Sequence, residues 1–283
     1  MAERLTGKQV AAAIKEKASA LCAELKEKGI VPTLAVIRVG EKPDDIAYEN
    51  NAEKTCASVG ADFKRVTLPA DIDSAAFLKA VSDTAADPQV SGIILMRPLP
   101  RGLDEKAALD LIPASKDVDG CNTASLAGAY SGNKDTFFPC TAQAVMEIIE
   151  YYGVECSGKR AVVLGRSLLA GKPIAMGLMD RNATVTVCHT RTADPASIAR
   201  EADILVTATN IGRSVGSDYF REGQTVIDVG ICFDEETGKM CGNVRKEDAE
   251  ETVAAYSPVP GGVGTVTSSI LALHTVQAAA KAH

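Results

Sequence analysis

The 283-residue chain has no tryptophan, and its only aromatic side chains are six tyrosines and six phenylalanines. A core of ordinary size must therefore be filled mainly by Ala, Val, Ile and Leu. Histidine is nearly as scarce, with only His189, His274 and His283. Zinc motifs such as H-E-x-x-H are thereby excluded. A Ser-His-Asp hydrolase would have to rest on His189 or His274, and neither belongs to a nucleophile motif. The eight cysteines include no C-x-x-C pair, which fits reduced, buried thiols rather than a disulfide framework or a zinc site. No apolar run approaches the roughly 20 residues of a membrane helix. The amphipathic start carries charges throughout and lacks the apolar centre of a signal peptide. An excess of positive charge is missing too: 30 Lys+Arg against 37 Asp+Glu leave a net charge of −7. That balance argues against nucleic acid or anionic membrane as partners. These absences predict a soluble, cytoplasmic protein without a metal.

What is present is an alternation of short β-branched runs with helical stretches, the signature of parallel sheets covered by helices. Strands are predicted over 33–38, 62–67 and 92–96, with helices over 6–28 (a Thr cap at its start, Gly29 at its end), 44–58 and 74–85. The segment Ala127–Lys134 (AGAYSGNK) reads as a turn-rich boundary, followed by a connecting helix over 141–152. A second series follows, with strands at 161–164, 184–188, 204–208 and 225–229 and helices at 172–180 and 195–201. The last apolar stretch, 268–282, reads as a terminal helix that packs back on the first domain. The expected fold is α/β in two domains, with ligand loops beyond the carboxyl ends of the strands.

AVVLGRSLLAGKP (161–173) joins a strand to a helix, with Gly165 and Gly171 in the turn. Glycines let backbone approach a phosphate, and free N–H groups at a helix start favour an anion. The loop is no P-loop, because five residues separate the glycines and Pro173 stands where Ser or Thr would hold magnesium. The next strand ends in His189-Thr190-Arg191-Thr192, without the carboxylate that receives the ribose hydroxyls of NAD. Arg166, Thr190 and Arg191 suit a 2′-phosphate instead, which favours NADP; a solvated arginine on a loop is the bland alternative.

Three further segments, VGEKPDDIAYENNAEK (39–54), KDVDG (116–120) and PVPGGVG (258–264), stand in order with PCTA (139–142) and the glycine loop. Together they resemble the methylenetetrahydrofolate dehydrogenase/cyclohydrolase family over essentially the whole chain. The resemblance implies a folate domain at 1–120, to which 268–283 returns, and a Rossmann NADP domain at 138–267. It also implies a homodimer that oxidises 5,10-methylenetetrahydrofolate to the 5,10-methenyl form in one-carbon metabolism. By the same resemblance, Tyr48 and Asp119 are the catalytic pair, with Tyr48 packing along the folate and Asp119 accepting from the pterin. Pro260, Gly261 and Gly262 join them against substrate. Gly165, Arg166, Ser167, Gly171, Thr190, Arg191 and Ile231 form the cofactor set.

The departures narrow the chemistry. Bifunctional members have a lysine four residues after the tyrosine and a glutamine in V-Q-L-P-L-P; here these positions are Ala52 and Met96. Lys54 sits about 240° around the helix from Tyr48 and cannot take over. Proton transfer by a positioned group is worth 10²–10⁴-fold, and neither Ala nor Met transfers one. Hydride transfer depends instead on aligning two rings. The expectation is thus a dehydrogenase with weak or absent cyclohydrolase activity. A bifunctional enzyme with a rebuilt water-activating site is its nearest rival, and a non-catalytic folate- or nucleotide-binding regulator the reading of another class. Asp45, Arg97, Cys121, Asn122, Ala142, Thr265 and Val266 also depart from the family pattern, leaving a modified pterin open as substrate. Arg97 reads as a contact to the substrate tail or to Asp119, or as a surface arginine.

Overall fold

The computed structural model describes residues 1–234 and 238–282. The first half of the chain runs β1 (Glu3–Arg4), α1 (Gly7–Glu27), β2 (Thr33–Val39), α2 (Pro43–Val59), β3 (Asp62–Leu68) and α3 (Ser74–Ala86). There follow β4 (Gly92–Leu95), α4 (Glu105–Asp110), α5 (Thr123–Ser131) and α6 (Cys140–Tyr151). The second half continues with β5 (Arg160–Leu164), α7 (Gly171–Met179), β6 (Thr184–Cys188), α8 (Pro195–Arg200), β7 (Ile204–Thr207) and β8 (Thr225–Asp228). It ends with β9 (Cys232–Phe233), β10 (Met240–Cys241), α9 (Lys246–Thr252), β11 (Ala255–Tyr256) and α10 (Val263–Ala282). Among the described residues no helix is long and apolar enough to cross a membrane.

The chain divides into two compact units, Ala12–Cys140 with Ser268–His283 and Met1–Ala11 with Thr141–Thr267. This differs from the expected 1–120 and 138–267 at both ends of the first domain. The first eleven residues leave it because Glu3 and Arg4 pair in parallel with Ala255 and Tyr256 as an extra strand of the second unit's sheet. Residues 121–140 stay with it because their backbone returns to the KDVDG turn, where Cys140 N–H donates to Asp119 O at 3.2 Å.

The unit built on residues 12–140 has a three-stranded parallel sheet in the order β3-β2-β4. β2 is buried along almost its whole length, as a central parallel strand must be, and its TLAVIRV sequence supplies the unbroken apolar run. Phe77 and Val81 of α3 and Ile112 pack on Ala35, Ile37, Ile93 and Leu95 to form the core of one face. The KDVDG segment extends the sheet: Asp117 bridges Ile93 in parallel, and Ile93 N–H donates to Lys116 O at 2.7 Å. A buried ion pair ties α2 to β2, with Arg38 Nε 3.0 Å from Glu49 Oε2 and both side chains nearly inaccessible.

The other unit has a six-stranded sheet, all parallel, in the order β1-β11-β8-β7-β5-β6. The chain leaves β5 for β6 on one side and then for β7 on the other, so the order reverses between β5 and β7. Ligands of doubly wound sheets bind at that switch point.

Most predicted elements fall within a few residues of the observed ones. The exceptions have local causes. Ala127–Lys134, read as a turn, instead contains the end of α5, because the Asn122 side chain caps Ser125 N–H and the helix runs on until Gly132 adopts φ +69°. The terminal helix begins at Val263, five residues early. Thr6 stands directly before α1, as expected of its cap, and its hydroxyl donates to the Gln9 side chain.

α10 is pinned to the first unit's core through His274. Its Nδ1 lies 2.9 Å from Val118 O, which can only accept, so Nδ1 carries the proton. Burial pushes the ring's pKa down to about 4, from an ordinary 6.5. Two expected outcomes follow from these buried groups. Replacing Arg38 by Met leaves the buried Glu49 carboxylate only Arg65, whose Nη1 lies 3.6 Å from the same Oε2, and is expected to cost about 3 kcal/mol in denaturant unfolding. For His274 the unfolded chain binds a proton below pH 6.5 that the folded chain refuses until about pH 4. Stability should therefore fall across that window by about 1.4 kcal/mol per pH unit. His274→Asn, which keeps the donor, is expected to flatten the slope in parallel urea titrations, and an unchanged slope would assign it elsewhere.

Candidate active site

The sequence-predicted residues fall into two groups, one in each unit. In the first, α2 carries Tyr48. Pro43 opens the helix with the fixed φ suited to a first turn, and Asp44 and Asp45 sit at its positive end. Tyr48 is partly exposed, whereas Ala52, one turn on, is buried and Lys54 is exposed. Burial of the phenol raises the Tyr48 pKa well above its ordinary value; Asp119, Cys140 and Cys121 push it further up and Arg97 opposes them. Tyr48 is thus a protonated donor at neutral pH, surrounded by the groups with which it shares the site.

Asp119 projects from a turn that several backbone constraints hold. Gly120 has φ +70°, and a Cβ there would meet Pro139 N at 2.7 Å and Phe137 O at 2.8 Å, so only glycine fits after Asp119. The preceding Asp117 is buried and accepts from Asn122 N–H at 2.8 Å, closing the turn from inside. Burial, partly offset by that bond, raises the Asp117 pKa.

Around Asp119 the fold gathers Arg97 and Cys121. Arg97 Nη2 lies 3.3 Å from Asp119 Oδ2, Cys121 Sγ lies 2.9 Å from the same oxygen, and Arg97 Nη2 is 3.2 Å from Cys121 Sγ. Burial pushes the Cys121 thiol pKa up and Asp119 adds to the effect, so Sγ keeps its hydrogen and donates it. Arg97 contacts Asp119, one of the roles its sequence position suggested. Cys121 departs from the family pattern, and nothing local in the sequence marks it as a partner of Asp119. Met96 directly follows β4, its N–H donating to Ile37 O at 2.9 Å.

The second group lines two cavities at the carboxyl ends of β5, β7 and β8. One, of about 440 Å³, is lined by Gly165, Arg166, Ser167, His189, Thr190, Asn210 and Tyr219 among others. The other, of about 250 Å³, includes Thr141, Ser167, Asn210, Ile231, Val263 and Gly264. They share Ser167, Ala208, Thr209 and Asn210, so the two cavities adjoin. The glycine loop beside them is tightly packed. Gly165 has φ +128°, and a Cβ on Gly171 would lie 2.3 Å from Gly165 O and 2.8 Å from Arg166 N. Ser167 Oγ, 3.3 Å from Gly171 N, completes the turn. Arg191 is exposed and outside both linings; its N–H donates to His189 Nδ1 at 3.2 Å. Pro260 and Gly261 are exposed and Gly262 is buried, in the same unit, with Gly261 O accepting from Gly7 N–H at 2.8 Å. Asn210 and Tyr219 are contributors that no motif announced. Among the described residues no cluster of His, Cys, Asp and Glu is suited to a metal ion.

A fold of this kind, with a nucleotide cavity at a parallel-sheet switch point and a separate Tyr/Asp group, defines a two-domain dinucleotide enzyme. The chain belongs to the tetrahydrofolate dehydrogenase/cyclohydrolase family: the family's catalytic-domain model matches residues 5–119 and its NAD(P)-binding-domain model residues 139–283. It is 49% identical over 279 residues to the bifunctional protein FolD of Carboxydothermus hydrogenoformans, covering 98% of this chain and 97% of that one. Its fold is similar to that of the bifunctional FolD enzyme of Campylobacter jejuni, with a TM-score of 0.96, 35% identity and full coverage of both chains. It is also similar to the Trypanosoma brucei methylenetetrahydrofolate dehydrogenase-cyclohydrolase, solved with NADP cofactor and an inhibitor. There the TM-score is 0.93 at 35% identity, covering 99% of this chain and 98% of that one.

Because a methyl at position 171 has no room, Gly171→Ala is expected to displace the loop. The thermal shift produced by a nicotinamide dinucleotide should collapse, with affinity lowered by about tenfold or more, while the fold without ligand persists. Undiminished binding by the variant would remove this loop from the site.

Proposed function

We propose that this chain oxidises 5,10-methylenetetrahydrofolate to 5,10-methenyltetrahydrofolate with NADP and, like the bifunctional relatives it matches, hydrolyses the product to 10-formyltetrahydrofolate. The observation that carries the reading is the pairing of a two-chambered dinucleotide cavity with the Tyr48–Asp119 group. NADP, when bound, supplies the acceptor for a hydride from the bridging carbon. The chain's task in that step is alignment. Ser167 and the backbone of the glycine loop hold the pyrophosphate, Arg166 and Thr190 favour the 2′-phosphate, and Ile231 and Gly264 line the nicotinamide end. Asp119 accepts from the adjacent N–H groups of the pterin, and Tyr48 packs along it as a neutral phenol. The chain acts, in this reading, as a cytoplasmic homodimer.

A second reading, dehydrogenation alone, rests on a specific observation: Ala52 and Met96 stand where the family's water-activating lysine and glutamine belong. The names of the relatives favour two activities over this expectation. Hydrolysis in this chain then relies on groups other than that pair.

The two activities are assayed separately, as folate-dependent NADP reduction and as loss of methenyl absorbance. Both are expected above their uncatalysed rates. Hydrolysis at the uncatalysed rate in wild type, raised about 10²-fold or more in Ala52→Lys/Met96→Gln, establishes the second reading. NADP bound without folate oxidation would point to a regulator instead.

A further inference from the structure

Arg97 and Cys121 are separate departures from the family pattern, 24 residues apart, yet the fold brings both to one atom. Cys121 Sγ donates to Asp119 Oδ2 at 2.9 Å, and Arg97 Nη2 reaches the same oxygen at 3.3 Å. Arg97 Nη2 also lies 3.2 Å from Cys121 Sγ, so the three groups close a triangle. On its other side the guanidinium faces Glu105 Oε1 at 3.7 Å, and its side chain is 20% exposed. Such a guanidinium is planar, permanently charged and fixed in direction. A carboxylate on its own turns readily about its terminal torsion, which is broad and nearly two-fold. One held by two donors on a single oxygen does not.

We propose that Arg97 and Cys121 are positioning residues that lock the carboxylate plane of Asp119 in the orientation a pterin requires. The proposal rests on the folate reading above and adds to it two residues that depart from the family motifs. Their contribution lies in preorganisation: the orientational freedom of Asp119 is removed before substrate arrives, so its loss does not weaken binding. The effect belongs to folate affinity rather than to the hydride step, and it leaves the dinucleotide untouched.

The test is steady-state kinetics of the full chain with methylenetetrahydrofolate and NADP, in wild type and in Arg97→Leu, Cys121→Ala and Cys121→Ser. Arg97→Leu is expected to raise KM for the folate about tenfold, with kcat within about threefold and KM for NADP unchanged. Cys121→Ala should move the same parameter in the same direction. Cys121→Ser, which keeps a donor, should restore it. The double variant is expected to fall short of the product of the singles, since both residues act on one oxygen. An active enzyme whose folate KM is indifferent to both single substitutions overturns the proposal and leaves the folate reading standing. So does a parallel fall of kcat, both KM-derived efficiencies and thermal stability, which marks a merely structural bridge. Should Arg97→Leu fail to fold, the Cys121 pair decides alone, because that substitution removes a single sulfur. A wild type without folate-dependent NADP reduction overturns the functional reading, and this proposal with it.

Discussion

Everything proposed for the folate group depends on the rigidity of one short turn, Lys116–Cys121. It is held from four directions. The β4 edge pairs with it through Ile93 and Lys116, and Asn122 N–H closes on the Asp117 carboxylate. Cys140 N–H caps Asp119 O, and His274 of the terminal helix fastens Val118 O. Backbone anchored in this way leaves Asp119 only its side-chain torsions, and two donors remove most of the freedom in those. Preorganisation of this kind is what allows a protein to favour a reaction that needs alignment more than proton traffic.

The same constraint explains several sequence features that otherwise look unrelated. Gly120 is required because the chain must turn left-handed against Pro139 and Phe137. Gly92 is required because a Cβ would enter the Val118 side chain at 2.6 Å. His274 is neutral and buried, and its value lies in a donated hydrogen bond rather than in acid–base chemistry.

Much of the fold was legible because parallel strands buried on both faces read as unbroken apolar runs, and their flanking glycines end them sharply. What escaped was decided by partners distant in sequence. Two residues at the start, Glu3 and Arg4, carry no periodicity, and only β11 makes them a strand. The AGAY stretch looks like a turn until Asn122, five residues earlier than the predicted boundary, is seen to start a helix. The site divided the same way. Tyr48, Asp119 and the glycine loop sit in contiguous motifs whose chemistry is local. The meeting of Arg97 with Cys121 depends on β4 and the KDVDG turn lying side by side, a register that no window of sequence contains.

The relocation of charge is the deeper consequence. A lysine on α2 would be a mobile, titratable ammonium on a flexible stem, suited to exchanging protons with water. In its place the helix presents a methyl group, and the nearby cation is the Arg97 guanidinium on the loop after β4, bonded to the Asp119 carboxylate. A guanidinium does not release its proton under working conditions. It contributes a fixed field and a fixed direction, which favour a positively charged bridging carbon less than a lysine that deprotonates, yet hold Asp119 more firmly. Tyr48, its own proton secured by burial and by the neighbouring carboxylate, supplies hydrogen bonding without titrating. Under the proposed function, hydride transfer asks only for alignment, and hydrolysis must draw on this static field rather than on a group that cycles between charge states.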